Sequence, residues 1–308
     1  MKVTRGLSVD SIPIIRLESS SLQVDVAPEV GGRVVSLVEK STGHEFLWRN
    51  AGLKLERMAP HSAYDPNFYG GIDELIPNDM PEHLNGVDSP DHGELWTTAL
   101  SYASSEDELT LKGTLPLCGL AYERRLSLRE GSPHIDIAYR IHNPTAQRRK
   151  FLWKLHAALA IAPGDRVLCP AGTARVVDLE WSRWHTLEAF GWPVVEGQRA
   201  DLIPVKDGTV DFLFLYDLAE GSMAWQSAAG DLTFAYTFDS AIFPYAWYFA
   251  SYGGFDDHYT AILEPCTAMP LSVVEAAQLG QCSVLEAGQT LETQVTVYAG
   301  PTPDKRRS

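Results

Sequence analysis

The sequence predicts an all-β fold, a large antiparallel β-sandwich, and two observations support that prediction. Short segments in which apolar and polar residues alternate recur along the chain, and clusters of Gly, Pro, Asn, Asp and Ser separate them. Alternation with a period of two is typical of a strand with one buried face. Convincing amphipathic helix patterns are missing from the sequence. Short, evenly spaced strands with few helices favour a sandwich or a barrel.

The predicted strands follow one another from residue 22 onward. Leu22, Val24 and Val26 alternate with polar residues before the turn residues of 28–32. The clearest hairpin joins 121–128 to 134–141, because apolar residues alternate in the second segment and turn residues fill 130–133. The predicted strands in chain order are 22–26, 33–38, 45–48, 121–128, 134–141, 211–216, 232–237, 247–251, 259–263 and 293–298.

Residues 59–92 interrupt this rhythm. Five prolines punctuate the segment: Pro60, Pro66, Pro77, Pro81 and Pro90. A connection longer than about 15 residues in a compact domain is usually functional or disordered. Aromatic residues such as Tyr64 and Phe68 argue against disorder, so we expect an ordered loop beside a binding site. No linker divides the chain, which predicts one domain over 1–300 followed by a polar tail at 301–308.

Composition narrows the classes of partner and the compartment. The formal net charge is −15, from 40 acidic and 25 basic residues. Such a surface repels phosphate backbones and anionic lipids, so we expect neither nucleic acid nor membrane as a partner. We expect no signal peptide and no membrane helix, since no apolar run is long enough. The four scattered cysteines form no C-x-x-C pair, which predicts reduced thiols in a cytoplasmic protein.

Three local sequences carry groups suited to proton transfer. His92 lies in Asp-His-Gly-Glu after the proline-rich segment, His156 ends an apolar run, and Glu264 precedes a proline at the end of another. Strand ends that lead into loops are common places for functional residues. Each residue has an ordinary alternative: His92 could bond within a turn, His156 could be a core histidine, and Glu264 could be a solvated strand-end carboxylate.

The order of these motifs resembles the galactose mutarotase-like, or aldose 1-epimerase, superfamily. Its members typically show an N-terminal stretch like 27–37 and a glycine pair leading to proline, like 70–77. A His-Gly, an apolar-flanked histidine and a late Glu-Pro follow, and this sequence has all five elements in that order. The resemblance implies a supersandwich fold and the interconversion of the α and β anomers of a free sugar. It implies that His156 is the general acid and Glu264 the general base, while His92 binds the sugar near its ring oxygen.

Sugar binding suggests further residues. Sugar hydroxyls need directional acceptors and donors, so we expect Asp73, Glu74 and Asn78 in the proline-rich segment to line the cleft. Aromatic rings commonly stack on sugar faces, and Trp247 is our choice among five candidates; the others are Trp96, Trp153, Trp184 and Trp192. The arginine that follows the His-Gly in the hexose-6-phosphate branch is replaced here by Glu94 and Leu95, which disfavours a phosphorylated substrate. Mutarotation requires neither metal nor cofactor, and we expect none.

Other functions remain open at this stage. The protein could be a carbohydrate-binding module that kept the sandwich and lost the chemistry. It could be a glycosidase or a polysaccharide lyase, with Asp73 or Glu74 as a second carboxylate beside Glu264. A metal site formed by His92, His156 and Glu264 is the least favoured alternative, because their spacing matches no compact zinc motif.

Overall fold

The computed structural model describes residues 1–303 of the chain. Within them, almost all regular structure is strand, apart from three short 3-10 helices and one α-helix, α1, at Val273–Leu279. The strands are β1 Lys2–Val9, β2 Ile12–Glu18, β3 Leu22–Ala27, β4 Arg33–Glu39, β5 His44–Glu45, β6 Ile72–Leu75, β7 Glu82–Leu84, β8 Val87–Ser89, β9 Ser101–Ser104, β10 Leu109–Thr114, β11 Ala121–Leu128, β12 His134–His142, β13 Arg149–Phe151, β14 Lys154–Ala160, β15 Arg166–Leu168, β16 Ala171–Val176, β17 Val194–Val195, β18 Gln198–Arg199, β19 Thr209–Leu218, β20 Ser222–Gln226, β21 Leu232–Phe238, β22 Tyr245–Tyr252, β23 Tyr259–Cys266, β24 Ser283–Leu285 and β25 Thr290–Pro301.

Two large sheets form the molecule, and strands within each sheet pair antiparallel. The larger sheet has eleven strands in the order β1-β2-β3-β4-β6-β14-β23-β22-β19-β16, with β5 beside β4. The smaller has eight, in the order β15-β20-β21-β25-β12-β11-β10-β9. Three two-stranded sheets, β13-β24, β17-β18 and β7-β8, complete the described part of the chain. The prediction of an all-β antiparallel sandwich is confirmed.

Alternation explains how the two sheets hold together. Burial along β12 alternates strictly, and the predicted hairpin forms with Ala121 opposite His142 and Leu128 opposite Ile135. The inward residues of both sheets join one apolar cluster, which includes Ile137, Leu155 and Leu263. Burying such a side chain contributes about 1.5–3 kcal/mol. Nine of the ten predicted strands are present. The segment 45–48 is the exception, because β5 ends at Glu45 and Leu47 makes only an isolated bridge.

The centre of the larger sheet is covered on both faces. Strands β14 and β23 are buried along nearly their whole length. On the inner face, Leu155 and Leu263 pack against the smaller sheet. On the outer face, the segment 59–92 packs over them, with Tyr64 and Phe68 contacting Ile262. A sheet face covered by an ordered segment can hold polar groups away from bulk water, and this outer face carries the candidate site.

The segment 59–92 is ordered, as predicted, but it is not simply a loop. It contains β6, which lies between β4 and β14 in the larger sheet, and the small hairpin β7-β8. All four residues of β6 are buried and each face carries one carboxylate, Asp73 or Glu74, so its sequence shows no alternation of apolar and polar residues. The chain enters β6 through Gly71, which lies close to the backbone of β4. Glycine is required there because its φ is +82° and a Cβ would lie 2.4 Å from the Val34 carbonyl oxygen.

The ends and connections of the chain are simple. Helix α1 spans seven residues, capped by the Ser272 side chain and by Gly280 in the left-handed region. Strand β25 continues to Pro301, one residue into the predicted polar tail, and residues 304–308 lie outside the described residues. The four cysteines are unpaired with one another. No helix in the described range is long and apolar enough to cross a membrane.

Candidate active site

The floor of the candidate site is the outer face of the larger sheet. The register between β14 and β23 pairs Lys154 with Cys266 and Ala157 with Leu263, which places His156 opposite Glu264. Opposed residues on antiparallel strands project from the same face, and so do residues two apart on one strand. Lys154, His156 and Glu264 therefore share the outer face.

A cavity of about 380 Å³ opens above this floor. Its size is within the range of about 300–1,000 Å³ found for small-molecule sites. His92, His156 and Glu264, the three residues singled out in the sequence, all line it. The lining residues are Tyr64, Asp65, Phe68, Asp79, Met80, His92, Lys154, His156, Val177, Asp178, Trp181, Phe212, Phe249, Phe255, Ile262, Glu264 and Leu271.

His156 is oriented by a buried carboxylate. Its Nδ1 lies 2.9 Å from Asp73 Oδ1, and Arg33 Nη2 lies 2.6 Å from the other oxygen of Asp73. Burial alone would raise the pKa of Asp73, but the positive charges of Arg33 and His156 lower it to about 2. An ionised carboxylate only accepts hydrogen bonds, so Nδ1 carries the proton and donates to Asp73. This leaves Nε2 of His156 to meet a ligand.

Tyr64 connects the two histidines of the site. Its hydroxyl donates to Asp73 over 2.9 Å and lies 3.4 Å from His156 Nδ1. Its ring stacks on the His92 ring, with centroids 4.1 Å apart and planes 5° from parallel. Tyr64 belongs to the segment 59–92, which we call the covering segment, whereas His156 belongs to the larger sheet. One side chain therefore fixes the covering segment against the floor.

His92 is held in a constrained turn at the side of the cavity. Its φ is +57°, its backbone N–H donates to the Asp79 carbonyl over 2.5 Å, and its Nδ1 bonds Asp91 over 2.8 Å. Burial alone would lower the pKa of His92, but the Asp91 hydrogen bond and the charge of Asp79 raise it overall. Because Nδ1 is engaged, Nε2 is the nitrogen available to a ligand.

Glu264 is held by a lysine that the sequence reading missed. Lys154 Nζ lies 2.6 Å from Glu264 Oε2 and 2.6 Å from Asp79 Oδ1. Burial alone would lower the pKa of Lys154, but the charges of Asp79 and Glu264 raise it. Burial alone would raise the pKa of Asp79, and the charge of Lys154 lowers it. Once 154–160 is known to be a strand, the spacing of two residues between Lys154 and His156 indicates a shared face.

Comparison with known proteins identifies the family and the fold. Residues 7–202 match the family model described as a domain of unknown function, DUF5107. The chain belongs to the DUF5107 family. That match spans Asp73, His92 and His156, while Glu264 lies beyond it.

Solved structures show the same fold as this DUF5107 chain. One is a galactose mutarotase-like protein from Clostridium acetobutylicum, which is 15% identical and has a TM-score of 0.72, with 98% of this chain and 99% of that chain covered. Another, provisionally assigned as an aldose 1-epimerase, comes from Klebsiella pneumoniae. It is 15% identical with a TM-score of 0.75, and 93% of this chain and 79% of that chain are covered. The DUF5107 chain therefore has the galactose mutarotase-like fold.

Four residues expected to bind substrate lie off the cavity surface, which corrects that expectation. Asp73 and Glu74 are consecutive in β6, so they project from opposite faces. Asp73 is 2% exposed beneath Tyr64, where it holds His156. Glu74 faces the smaller sheet and bonds Arg124 Nη1 over 2.7 Å. Further donors to Glu74 are the hydroxyls of Tyr122 and Tyr139 and the indole nitrogen of Trp153.

The other two residues of that set serve the framework of the site. The Asn78 amide nitrogen donates to the carbonyl oxygens of Met80 and Pro90, at 2.8 and 2.6 Å, and so shapes the covering segment of the DUF5107 chain. Trp247 is fully buried, its indole nitrogen donates to the Ala268 carbonyl over 2.8 Å, and its ring lies beneath Lys154 Nζ at 4.5 Å. Neither side chain lines the cavity.

Much of the remaining cavity lining is apolar. The apolar lining residues outside segment 59–92 are Val177, Phe212, Phe249, Phe255, Ile262 and Leu271, together with Trp181. Trp181 is the lining tryptophan, and it is 38% exposed. It was missed because it lies outside any apolar strand pattern, in a 3-10 helix at Leu179–Trp181. Its exposed ring makes it the better stacking candidate.

Metal-ligand-type groups cluster at the rim and not at the floor. Among residues 1–303, Asp65, Asp91 and His92 offer ligand atoms within 4.8 Å of one another. His156 and Glu264 are not part of this group. The grouping therefore differs from the metal site considered from the sequence, and the Asp91–His92 hydrogen bond already accounts for two of its three members.

Proposed function

We propose that this DUF5107 protein is a mutarotase, an aldose 1-epimerase that interconverts the α and β anomers of a free sugar. In this proposal Glu264 is the general base and His156 the general acid. The observation that carries it is the opposition of His156 and Glu264 on adjacent strands at the floor of one cavity. The two oxygens of a hemiacetal share one carbon, so acid and base must meet the substrate side by side.

The reaction needs two coordinated proton transfers. Glu264 takes the proton of the anomeric hydroxyl while His156 Nε2–H donates to the ring oxygen, so the bond between the anomeric carbon and the ring oxygen breaks. The open-chain aldehyde rotates about its bond to the second carbon. Ring closure on the other face returns both protons, so the protein ends unchanged and nothing is oxidised or reduced.

The surroundings of the histidines suit this chemistry. The ionised Asp73 accepts a hydrogen bond from His156 Nδ1–H and places a negative charge beside the doubly protonated ring, whose Nε2–H is the proton given to the ring oxygen. His92 presents Nε2 to the cavity, and a raised pKa favours its protonated, donating form. A donor there can bind the sugar near its ring oxygen, which is the role implied by the resemblance.

A retaining glycosidase is the nearest alternative, because Asp79 and Glu264 lie either side of one ammonium group. Each has an oxygen 2.6 Å from Lys154 Nζ, so these two oxygens are at most about 5 Å apart, near the carboxyl separation of about 5–5.5 Å in retaining enzymes. Such an enzyme needs one carboxyl group protonated as the acid. Lys154 instead forms an ion pair with each of them, and its charge lowers the pKa of Asp79, which supports the mutarotase.

The proposal is tested by exchange NMR between anomers on a panel of neutral aldoses, in the presence and absence of the protein. We expect acceleration by the parent, and a loss of about 10²–10⁴-fold in Glu264→Gln and in His156→Asn. Matched controls are Glu292→Gln and His142→Asn, on strands of the smaller sheet. They should exchange at the parent rate. Parent-like exchange in Glu264→Gln would remove Glu264 from the base role.

Absence of acceleration on every aldose, with ligand-induced shifts still present in the protein spectrum, would instead support a carbohydrate-binding module. The cytoplasmic location expected from the cysteines is part of this proposal. Fractionation of the native host would test it, with the protein expected in the cytoplasmic fraction.

A further inference from the structure

Lys154 occupies the middle of the cavity floor. Its ammonium nitrogen lies 2.6 Å from one oxygen of Asp79 and 2.6 Å from one oxygen of Glu264, over the Trp247 ring at 4.5 Å. The three charged side chains are 3%, 9% and 2% exposed, for Lys154, Asp79 and Glu264 respectively. Burying three charges is costly unless their geometry compensates the loss of water. The arrangement is therefore specific, and the proton transfers above leave it without a role.

We propose that Lys154 is a positioning residue for the base: shared between Asp79 and Glu264, its ammonium group fixes the direction and the negative charge of the Glu264 carboxylate. The inference rests on the proposed function only in taking Glu264 to be the base. Asp79 has the complementary role of holding Lys154 in place from the covering segment.

The first reason is electrostatic. Two carboxylates with oxygens at most about 5 Å apart in a largely buried site repel each other, and without a cation one of them would tend to hold a proton. A protonated Glu264 could not accept the proton of an anomeric hydroxyl. The ammonium group between the two carboxylates removes that obstacle, and the lowered pKa of Asp79 shows its influence on one partner.

The second reason is geometric. Lys154 engages Oε2 of Glu264, which leaves Oε1 as the oxygen for a substrate hydroxyl. The ion pair joins neighbouring strands, since Lys154 is on β14 and Glu264 on β23. Asp79 also accepts the backbone N–H of His92 at its carbonyl oxygen. Through Asp79, the position of the base is tied to the turn that holds His92.

Lys154 is unsuited to act as a nucleophile. An amine that attacked the open-chain aldehyde would need a free electron pair. The raised pKa of Lys154 keeps it as an ammonium group at neutral pH. Its chemistry in this cavity is that of a fixed positive charge.

The other titratable groups near this cluster define the controls. His92 and Tyr64 approach from the covering segment, while His156 lies on β14 and Cys266 on β23. Asp73 approaches from β6, and Asp65 and Asp178 also line the cavity.

Two of these groups do not titrate near neutral pH. Burial raises the pKa of the Cys266 thiol, and burial with the charge of Asp73 raises the pKa of the Tyr64 hydroxyl, so both stay protonated at neutral pH. The histidines are the groups whose titration must be separated from that of the carboxylates.

The test compares Lys154→Met, Lys154→Arg and Asp79→Asn with the parent by two measurements. The first is the pH profile of anomer exchange between about pH 2.5 and pH 8, which brackets carboxylates and histidines. Removing the cation in Lys154→Met should move the acid limb upward by about 1–3 pH units. Lys154→Arg keeps the charge, so its acid limb should stay with the parent while the rate falls. Asp79→Asn should move the acid limb downward, because a like charge is lost.

The second measurement is carbon-13 NMR of the side-chain carboxyl groups of Asp79 and Glu264, assigned from the spectra of Asp79→Asn and Glu264→Gln. In Lys154→Met, one of the two signals should titrate at a higher pH than in the parent. This readout needs no sugar. If Lys154→Met does not fold, Asp79→Asn and Lys154→Arg carry the test by the same two measurements.

The outcomes separate the two proposals. A parent that exchanges no aldose overturns the mutarotase, while the carboxyl titrations still decide the charge role of Lys154. A parent that exchanges anomers, with acid limbs that coincide in all variants, overturns the role of Lys154 and leaves the mutarotase standing. Unchanged carboxyl titrations in Lys154→Met and Asp79→Asn would also overturn the proposed role of Lys154.

Discussion

At the scale of single residues, the orientation of His156 depends on one ionised carboxylate. Asp73 can hold the imidazole in one tautomer only while it accepts and does not donate, and its pKa of about 2 ensures this at neutral pH. Arg33 on β4 is the largest of the influences that lower this pKa, and its Nη2 lies 2.6 Å from the carboxylate. The ion pair is buried, so breaking it would leave an unpaired charge in the site.

Asp73 should therefore make stability depend on pH in acid. Its folded pKa of about 2 is below the unfolded value of about 3.9, so its contribution is fully present above about pH 4 and is lost as pH falls through about 2. We expect the parent to lose about 2 kcal/mol more unfolding free energy than Asp73→Asn over that interval. Urea denaturation at several pH values measures it. Equal losses in the two proteins would show that Asp73 is not held ionised.

At the scale of elements, the covering segment converts a sheet face into a cavity. It provides Tyr64, Asp79 and His92, and it places them by a strand, β6, and by a constrained turn at His92–Gly93. Gly93 has a φ of +68°, and a Cβ there would lie 2.3 Å from the Ile76 carbonyl oxygen. The glycine of the His-Gly pair is thus required by the close approach of two backbones.

Gly93→Ala should destabilise the protein and disturb His92. The left-handed conformation alone costs a side chain roughly 1–2 kcal/mol, and the clash with a backbone oxygen adds to it. The matched control is Gly230→Ala, where φ is +74° and a Cβ meets no atom within 4 Å. Urea denaturation should show a larger loss for Gly93→Ala, and anomer exchange should fall only in that variant. Equal losses would mean that backbone conformation alone explains the glycine.

At the scale of the whole molecule, the negative net charge of the protein favours uncharged ligands over anionic ones. The chain carries a formal net charge of −15. The cavity is lined by four carboxylates, those of Asp65, Asp79, Asp178 and Glu264, and by one lysine, Lys154, which is already paired with Asp79 and Glu264. Among the described lining residues, no arginine is available for an anionic group. A phosphate or carboxylate on the sugar would meet repulsion.

Glucose 6-phosphate should be a poorer substrate than glucose. We expect kcat/KM for the phosphate to be lower by at least about tenfold at low salt, equivalent to about 1.4 kcal/mol. The ratio should narrow from about 0.01 M to about 0.15 M salt, as the Debye length falls from about 30 to about 8 Å. Exchange NMR on both sugars at each ionic strength measures this. A preference for the phosphate would point to a cation reaching the cavity from elsewhere.

Local patterning by itself determined the fold class and located nine of the 25 described strands. Alternation in segments such as 134–141 reports burial of one face, and that signal is local in sequence. Local patterning did not predict β6, where Asp73 and Glu74 are adjacent. A glutamate in a sequence indicates an exposed position, but Glu74 is buried against Arg124. Packing between distant segments, and not local preference, makes β6 a strand.

For the site, the sequence pointed to His92, His156 and Glu264, and the structure places all three around one cavity. Their motifs are short and each includes a distinctive neighbour, such as Gly93 or Pro265, so they can be read locally. Only the tertiary structure decided which polar residues surround them. Strand register chose Lys154 and Asp79 as partners of Glu264, and β6 turned Glu74 inward. Side-chain partners depend on which strands are neighbours, and that is set by the packing of the whole sheet.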